Sequence, residues 1–112
     1  MRRTDPLILG AGPAGCAAAI TLARAGARPL LIDRDAAPRD PLCGGFLSWR
    51  TAERLAALGI EVAALGAQRV EELAIHHGAQ SARVRLPGPS WGLSRHALDS
   101  ALRHAALAQG AD

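Results

Sequence analysis

A glycine-rich turn near the N-terminus constrains this chain more than any other feature. It reads Gly10-Ala11-Gly12-Pro13-Ala14-Gly15, with an apolar run before it and an alanine-rich, helix-like run after it. A second apolar run follows and ends at Asp33. Strand, turn, helix and strand in this order predict a βαβ unit, whose strands lie parallel through a right-handed crossover. The fold class is therefore α/β, with a Rossmann-like parallel sheet.

Each glycine of this turn has a physical role in binding a pyrophosphate. Gly10 permits the tight turn, Gly12 lets the pyrophosphate approach the backbone, and Gly15 lets the helix pack closely on the sheet. Free N–H groups at the helix start hold the phosphates, and Asp33 is placed to accept hydrogen bonds from ribose hydroxyls. The alternative is a turn beside a buried strand, with Asp33 capping the next loop. The agreement of strand, spacing and acid favours the binding interpretation.

The rest of the sequence predicts two further helices and a small β-hairpin. The predicted elements are the strands Leu7–Leu9 and Pro29–Asp33, the helices Pro13–Ala25, Trp49–Leu58 and Arg95–Gln109, and the hairpin strands Val70–His76 and Ala82–Leu86. Ser48 and Ser94 are the expected helix N-caps. Pro87-Gly88-Pro89 is expected to break the chain after the hairpin. Asp99 and Arg103 have the i,i+4 spacing of an ion pair on the last helix.

Composition limits the classes of function that are open to this chain. Its 112 residues are the size of one small domain, and its formal charge is +3. The arginines are scattered and no aromatic residues alternate with them, which disfavours nucleic-acid binding. No apolar run reaches the roughly 18 residues of a membrane span. Cys16 and Cys43 are isolated cysteines that indicate a reducing compartment, so we expect a cytoplasmic protein, and the Ala- and Arg-rich composition without Lys is typical of bacteria with GC-rich genomes.

Two further segments accompany the glycine turn and Asp33-Arg34. Cys43-Gly44-Gly45-Phe46-Leu47-Ser48 follows the loop after the second strand, and Gly92-Leu93-Ser94-Arg95-His96-Ala97-Leu98-Asp99-Ser100-Ala101-Leu102 opens the last helix. Together these segments resemble the FAD-dependent oxidoreductases of the para-hydroxybenzoate hydroxylase and geranylgeranyl reductase superfamily. The cysteine segment is similar to C-G-G-x-L-S of the geranylgeranyl reductase branch, and the helix segment to the family pattern S-R-x-x-(L/F)-D-x-x-L. Order and spacing match, and the resemblance covers essentially the whole chain.

The resemblance implies an FAD site that draws on all of these segments. The implied residues are Gly10, Gly12, Pro13, Ala14 and Gly15 for the pyrophosphate, Asp33 for the adenosine ribose, Arg34 near the adenosine, Cys43, Gly44 and Gly45 along the ribityl chain or flavin ring, and Arg95 as a further cofactor contact. Many relatives carry Glu where this chain has Asp33, so the shorter side chain departs from the family pattern. The resemblance assigns no catalytic residue, and the sequence indicates no metal site.

The resemblance implies that the chain is part of a flavin-dependent oxidoreductase, similar to geranylgeranyl reductase or to a monooxygenase. The implied substrate is an apolar or aromatic small molecule. NAD(P)H is the reductant in the hydroxylase branch, whereas the reductant varies in the reductase branch. The helix before Gly110 should feed a third parallel strand, so we expect residues 1–112 to be the N-terminal part of an FAD/NAD(P)-binding domain, incomplete at its C-terminus. The substrate domain lies outside this chain, and the piece alone should be inactive. The alternatives are an NAD(P)-binding dehydrogenase and a non-catalytic nucleotide-binding module.

Several polar and sulfur side chains allow two interpretations. Cys43 is either a thiol that faces the flavin or a small residue in a turn, and Cys16 is a core residue of the first helix. Arg95 is either a surface arginine or the partner of an external anion, which the unfavourable field of a helix's first turn supports. For the histidines and tryptophans, a structural role is favoured over ligand binding. We expect exposed histidines on the hairpin and on the last helix, and tryptophans packed at segment ends: His76, His77, His96, His104, Trp49 and Trp91.

Overall fold

Two small sheets and three helices make up the part of the fold that the structure describes. The computed structural model describes residues 5–112. Its elements are β1 (Leu7–Leu9), α1 (Pro13–Arg24), β2 (Leu30–Ile32), β3 (Phe46–Leu47), α2 (Trp49–Ala57), a 3₁₀ turn (Val62–Leu65), β4 (Gln68–His77), β5 (Gln80–Gly92) and α3 (Arg95–Gln109). β1 and β2 form one sheet, and β3, β5 and β4, in that order, form the other.

The predicted βαβ unit is confirmed. β1 and β2 are parallel, with Leu7 opposite Leu30 and Leu9 opposite Ile32. α1 crosses between them and begins at Pro13, whose missing N–H costs nothing in the first turn of a helix. The helix ends one residue before the predicted Ala25, a difference within the usual fraying of helix ends.

The core lies where α1 packs against α3. Small side chains allow this close approach, because Cys16 and Ala19 on α1 and Ala106 on α3 are fully buried. Ile20 and Leu102 are the largest fully buried aliphatic side chains between the elements. Packing of α3 on α1 places the start of α3 beside the glycine turn, which is the geometry that the site requires.

Local capping explains where two of the helices begin. The Ser48 hydroxyl accepts a hydrogen bond from the N–H of Thr51 at the start of α2 (3.2 Å). The Ser94 hydroxyl accepts one from the N–H of Ala97 at the start of α3 (3.2 Å). Both predicted N-caps are confirmed, and α3 begins and ends at the predicted residues. Gly110 ends it with φ at +110°, a conformation that glycine adopts without strain.

The hairpin is longer than the sequence pattern indicates. The expected chain break at residues 87–89 is wrong, because β5 continues through this segment to Gly92. The segment forms a bulge in β5, because Val70 pairs with Ser90 and Glu72 with Arg85, which leaves residues 86–89 of β5 opposite the single residue 71 of β4. Gly88 lies against α2, and a Cβ there would come within 2.8 Å of the Trp49 Cβ. The glycine therefore serves close packing against Trp49 and not a turn.

The parallel sheet continues beyond β2 at the end of the chain. The N–H of Leu31 donates to the Asp112 carbonyl (2.7 Å), and the N–H of Asp112 donates to the Pro29 carbonyl (3.0 Å). This alternation is the pattern of a parallel bridge on the edge of β2 that faces away from β1. Four apolar side chains on one face of the sheet are exposed, by 46% to 76%: Leu7, Leu9, Leu30 and Ile32. Within residues 5–112, no helix has the length and apolar character needed to cross a membrane.

Candidate functional site

A cleft of about 840 Å³ opens where β1 and β2 end and where α1 and α3 begin. We call it the strand-end cleft, and five of its lining residues are ones that the sequence predicts: Gly10, Gly12, Asp33, Arg34 and Arg95. Ligands of parallel α/β sheets bind outside the carboxyl ends of the strands. The structure therefore brings the glycine turn, the acid and the arginine together at the position where a nucleotide is expected.

The three glycines of the turn differ in what a side chain would meet. Gly10 has φ at +103°, in the region that favours glycine. A Cβ on Gly15 would collide with the carbonyl oxygen of Gly10, so this residue must stay small for helix and turn to pack. A Cβ on Gly12 has open space, and its nearest neighbour is Arg95 Nη2 at 4.0 Å. The space in front of Gly12 is therefore available to a ligand.

Asp33 uses both carboxylate oxygens on backbone N–H groups. Its Oδ2 accepts from the N–H of Ala11 (2.7 Å), and its Oδ1 accepts from the N–H of Asp35 (2.8 Å). These hydrogen bonds, from Asp35 first and Ala11 second, hold the pKa of Asp33 below its ordinary value of 3.8. The carboxylate is therefore ionised near neutral pH, and its remaining lone pairs can accept hydroxyl groups.

Arg103 contacts the same end of the cleft, which sequence reasoning missed. Its Nε donates to the Ala11 carbonyl (3.1 Å), its Nη1 donates to the Asp35 carbonyl (3.1 Å), and its Nη2 lies 3.5 Å from Asp33 Oδ1. The predicted pair between Asp99 and Arg103 is wrong. Both candidate partners of Asp99 stand four residues away from it, and the fold decides between them because Arg103 reaches Ala11, Asp33 and Asp35 beyond the ends of β1 and β2.

Asp99 pairs instead with Arg95, one turn earlier on α3. Arg95 Nε donates to Oδ1 (3.0 Å) and Nη2 to Oδ2 (3.1 Å), which is the bidentate geometry of a strong ion pair. The side chain of Asp99 is buried, and its hydrogen bond raises the pKa of Arg95 above the ordinary arginine value. Since two of the five N–H donors of Arg95 bond to Asp99, the others can serve an anion in front of Gly12.

A second cleft, of about 650 Å³, continues from the first. We call it the loop cleft, and its lining includes Cys43, Gly44, Gly45 and Leu93. Arg95 lines both clefts. The two clefts are therefore neighbours along one surface. Eight of the eleven predicted residues line one or both of them, whereas Pro13, Ala14 and Gly15 line neither.

Two adjacent glycines of the loop cleft differ in their constraints. Gly45 has φ at +69°, and a Cβ there would lie 2.7 Å from the Leu93 carbonyl oxygen. Gly44 has nothing within 4 Å of its Cβ position. Cys43 is exposed, and its Sγ accepts the N–H of Gly45 (3.5 Å). Gly45 is therefore needed for the conformation of the loop and its close approach to Leu93, whereas Gly44 and Cys43 face open space.

The loop between β2 and β3 is tied to α3 by an acid that the sequence did not single out. Asp40 Oδ1 accepts the N–H of His96 in the first turn of α3 (2.8 Å). Arg39 Nη2 lies 2.9 Å from Asp35 Oδ1 within the same loop. Asp40 lines both clefts. No local signal could have identified this contact, because 56 residues separate its two partners.

Other predicted residues lie at the margin of the site or outside it. Pro13 and Ala14 form the first turn of α1 and are not among the described residues that line either cleft. Arg34 lines the strand-end cleft, but its side chain is 92% exposed, so little of the protein holds it in place. Cys16 is a core residue as predicted, and burial raises the pKa of its thiol to about 11.

The histidines are exposed and the tryptophans pack against neighbouring residues, as predicted from the sequence. Two of the four histidines are on the hairpin and two are on α3, and all are exposed: His76, His77, His96 and His104. Trp49 packs against Gly88. Trp91 is half-buried beneath the guanidinium of Arg69, 5.6 Å from the ring centre. These side chains therefore belong to packing or to the surface.

Known proteins resemble this chain in both sequence and structure. The sequence profile described as "FAD binding domain" matches residues 3–112. A menaquinone reductase of Mycolicibacterium smegmatis is 34% identical over 120 residues, which cover 97% of this chain and 28% of that protein.

Solved structures share the fold along nearly the whole chain. The myxobacterial chondrochloren halogenase CndH gives a TM-score of 0.87 at 24% identity over 96% of this chain and 27% of that one. A geranylgeranyl bacteriochlorophyll reductase-like protein of Thermoplasma acidophilum gives 0.81 at 24% identity over 96% of this chain and 28% of that one. At this identity the likeness shows the fold. The chain spans less than a third of each of these proteins.

Proposed function

This chain belongs to the FAD binding domain family, and we propose that its two clefts hold one FAD in a flavin-dependent oxidoreductase. The pyrophosphate binds at the glycine turn and Arg95, and the adenosine ribose binds at Asp33 beside Arg34. The ribityl chain and flavin ring run along the loop cleft, past residues 43–45.

The observation that carries the proposal is the open space in front of Gly12, which faces Arg95 Nη2. A pyrophosphate there would have backbone N–H groups of the α1 start on one side and a guanidinium on the other. Asp33 lines the same cleft, and its ionised carboxylate is an acceptor for ribose hydroxyls. One cleft thus holds both the anion donors and the hydroxyl acceptor that a dinucleotide needs.

When bound, the flavin supplies the redox chemistry, and the chain supplies binding and orientation. We assign a catalytic role to no side chain within residues 5–112. The substrate class we propose is an apolar or aromatic small molecule, supported by the menaquinone reductase relative and by the C-G-G-F-L-S segment at Cys43, which favours the reductase branch. NAD(P)H is the proposed reductant. We propose a cytoplasmic location because Cys16 and Cys43 are free thiols.

The first test is the visible absorption spectrum of the protein expressed from its complete reading frame. A bound oxidised flavin gives bands near ~370 and ~450 nm, which we expect. A colourless protein that also fails to take up added FAD would overturn the proposal. Tight binding of free NADH without FAD uptake would move the function to a nicotinamide dehydrogenase.

The second test identifies what accepts electrons from the reduced protein. The flavin is reduced without oxygen by NADH or NADPH, and the return of its absorption is followed after mixing with a naphthoquinone. Rapid reoxidation is the expected result for a quinone reductase. A reduced flavin that the quinone leaves unchanged, but that oxygen reoxidises faster when an aromatic substrate is present, would point to a monooxygenase.

A further inference from the structure

Arg103 joins three separate segments at the ribose end of the strand-end cleft. We infer that it is a positioning residue, which holds the turn peptide at Ala11 and the carboxylate of Asp33 in the geometry that nucleotide binding requires. The inference rests on the proposed FAD site. The helix pattern on which the family resemblance is based ends at Leu102, so it assigns nothing to Arg103.

The first part of this role concerns the peptide between Ala11 and Gly12. Arg103 Nε holds the Ala11 carbonyl (3.1 Å), and the Cys16 thiol also donates to that oxygen (3.4 Å). In a trans peptide the C=O and the following N–H point in opposite directions. The bond from Arg103 therefore directs the N–H of Gly12 away from α3 and fixes one donor of the glycine turn.

The second part concerns Asp33, the carboxylate proposed to bind ribose. The N–H of Ala11 and the carbonyl of the same residue are both held, the first by Asp33 and the second by Arg103. Arg103 also bonds the Asp35 carbonyl, while the N–H of Asp35 donates to Asp33. The guanidinium thus closes a ring of contacts around the carboxylate. A planar group with several fixed donors can do this, whereas a lysine ammonium reaches fewer of these acceptors at once.

A second arginine of the chain provides the matched control. Arg24 Nη1 donates to the Ala57 carbonyl (2.7 Å) and so ties α1 to the end of α2. This contact resembles the bond from Arg103 to Ala11, but its residues line neither of the two clefts among the described residues. If the loss of any arginine bond between a helix and a distant carbonyl were enough to weaken binding, replacing Arg24 would weaken it as replacing Arg103 does.

The experiment compares Arg103→Met, Arg103→Lys and Arg24→Met in the protein expressed from its complete reading frame. Dissociation constants are measured for FAD, FMN, ADP and 2′,3′-dideoxy-ADP, with the melting temperature of each variant. We expect Arg103→Met to weaken FAD and ADP about tenfold, equal to about 1.4 kcal/mol. It should also bring the affinity ratio of ADP to its dideoxy analogue close to one. FMN lacks the adenosine ribose, so its affinity for Arg103→Met should be within about twofold of its affinity for wild type. The affinities of Arg103→Lys should lie between those of wild type and Arg103→Met. Arg24→Met should leave every affinity unchanged.

Two results would overturn the inference. The first is an unchanged ratio of ADP to dideoxy-ADP affinity in Arg103→Met, or in Arg103→Lys where the methionine variant does not fold. The second is an equal loss of FMN and ADP affinity that accompanies a lower melting temperature, as for a purely structural tie. Wild-type protein that binds neither FAD nor ADP would show that the proposed site itself is wrong, and the inference would fail with it.

Discussion

The strand-end cleft and the loop cleft share Arg95, yet they are built differently. The strand-end cleft rests on hydrogen bonds between distant segments, such as the bond from Arg103 to Ala11, which are 92 residues apart. The loop cleft is held at Gly45, whose carbonyl accepts the N–H of Leu93 (2.8 Å), but Cys43 beside it is exposed and nothing lies within 4 Å of the Gly44 Cβ position. A site whose groups are held before the ligand arrives loses less entropy on binding. We therefore expect the strand-end cleft to determine nucleotide affinity and the loop cleft to contribute less.

The largest expected effect is the loss of FAD binding in Gly12→Val. A valine side chain would fill the space in front of Arg95 that we assign to the pyrophosphate, while the Cβ itself meets no protein atom closer than 4.0 Å. Affinity for FAD should fall more than about a hundredfold, or about 2.7 kcal/mol. The measurement is FAD titration, with the melting temperature as evidence that the fold survives.

The same substitution at Gly44 is the control, because nothing lies within 4 Å of its Cβ position. ADP reaches only the strand-end cleft in our assignment, so Gly44→Val should leave its affinity unchanged. Unchanged FAD affinity in Gly12→Val, or an equal loss of ADP affinity in both variants, would remove the distinction between the two clefts.

The second prediction concerns the stability of the loop cleft. Gly45→Ala should lower the free energy of unfolding by about 1–2 kcal/mol, because a non-glycine residue in the left-handed region is strained. The Cβ would also press on the Leu93 carbonyl, at 2.7 Å. Gly44→Ala, one residue away, should change stability by less than about 0.5 kcal/mol. Urea denaturation measures both, and equal stabilities would show that the loop backbone relaxes freely.

Features that depend on neighbouring residues could be predicted from the sequence. The glycine turn lies directly between β1 and α1, and Ser94 lies directly before α3, so chain order alone predicts their positions in the fold. Gly110 ends α3 for the same reason. The spacing from the glycine turn extends this to Asp33, and the resemblance extends it to Arg95, because the motifs that contain them are short.

Contacts between distant segments could not be predicted in this way. The spacing of Asp99 is the same to Arg95 and to Arg103, and only the packing of α3 on α1, which brings Arg103 to Ala11 and Asp35, decides which arginine it pairs with. Asp40 reaches α3 across 56 residues. The proline segment at residues 87–89 reads as a break, whereas β5 contains it as a bulge, because pairing with β4 resumes on both sides of it.

The third prediction concerns the pH dependence that Asp33 adds to stability. Its pKa is lowered in the folded state, so its stabilising contribution is fully present above its ordinary value of 3.8 and is lost as the pH falls further. In Asp33→Asn the side chain has only one acceptor oxygen for the two N–H donors of Ala11 and Asp35, and its NH₂ group would face one of these N–H groups. The difference in free energy of unfolding between wild type and variant should be constant from about pH 5 to 7 and shrink below about pH 4.

Urea denaturation at a series of pH values measures this difference. Glu53→Gln, at an exposed position on α2, is the control for removing an acid. A difference that stays constant down to about pH 2.5 would contradict the role of the ionised carboxylate, because the folded state would then not depend on its charge.

The smallest expected effect on binding is at Cys43, and its thiol gives the finest comparison of the two clefts. Cys16 is fully buried with a pKa of about 11, whereas Cys43 is exposed. Because the thiolate is the reactive form, iodoacetamide should modify Cys43 in the folded protein and Cys16 only after denaturation. Cys43→Ser should bind FAD within about twofold of wild type.

Ligand protection of Cys43 then separates the two clefts. Saturating FAD should slow its alkylation several-fold, because the ribityl chain and flavin ring would cover the loop cleft. ADP should leave the rate unchanged, because it occupies only the strand-end cleft. Equal protection by FAD and ADP would mean that nucleotide binding at the strand-end cleft also closes the loop around Cys43. The contact between Asp40 and the start of α3 provides a path for that closure, since Asp40 lines both clefts.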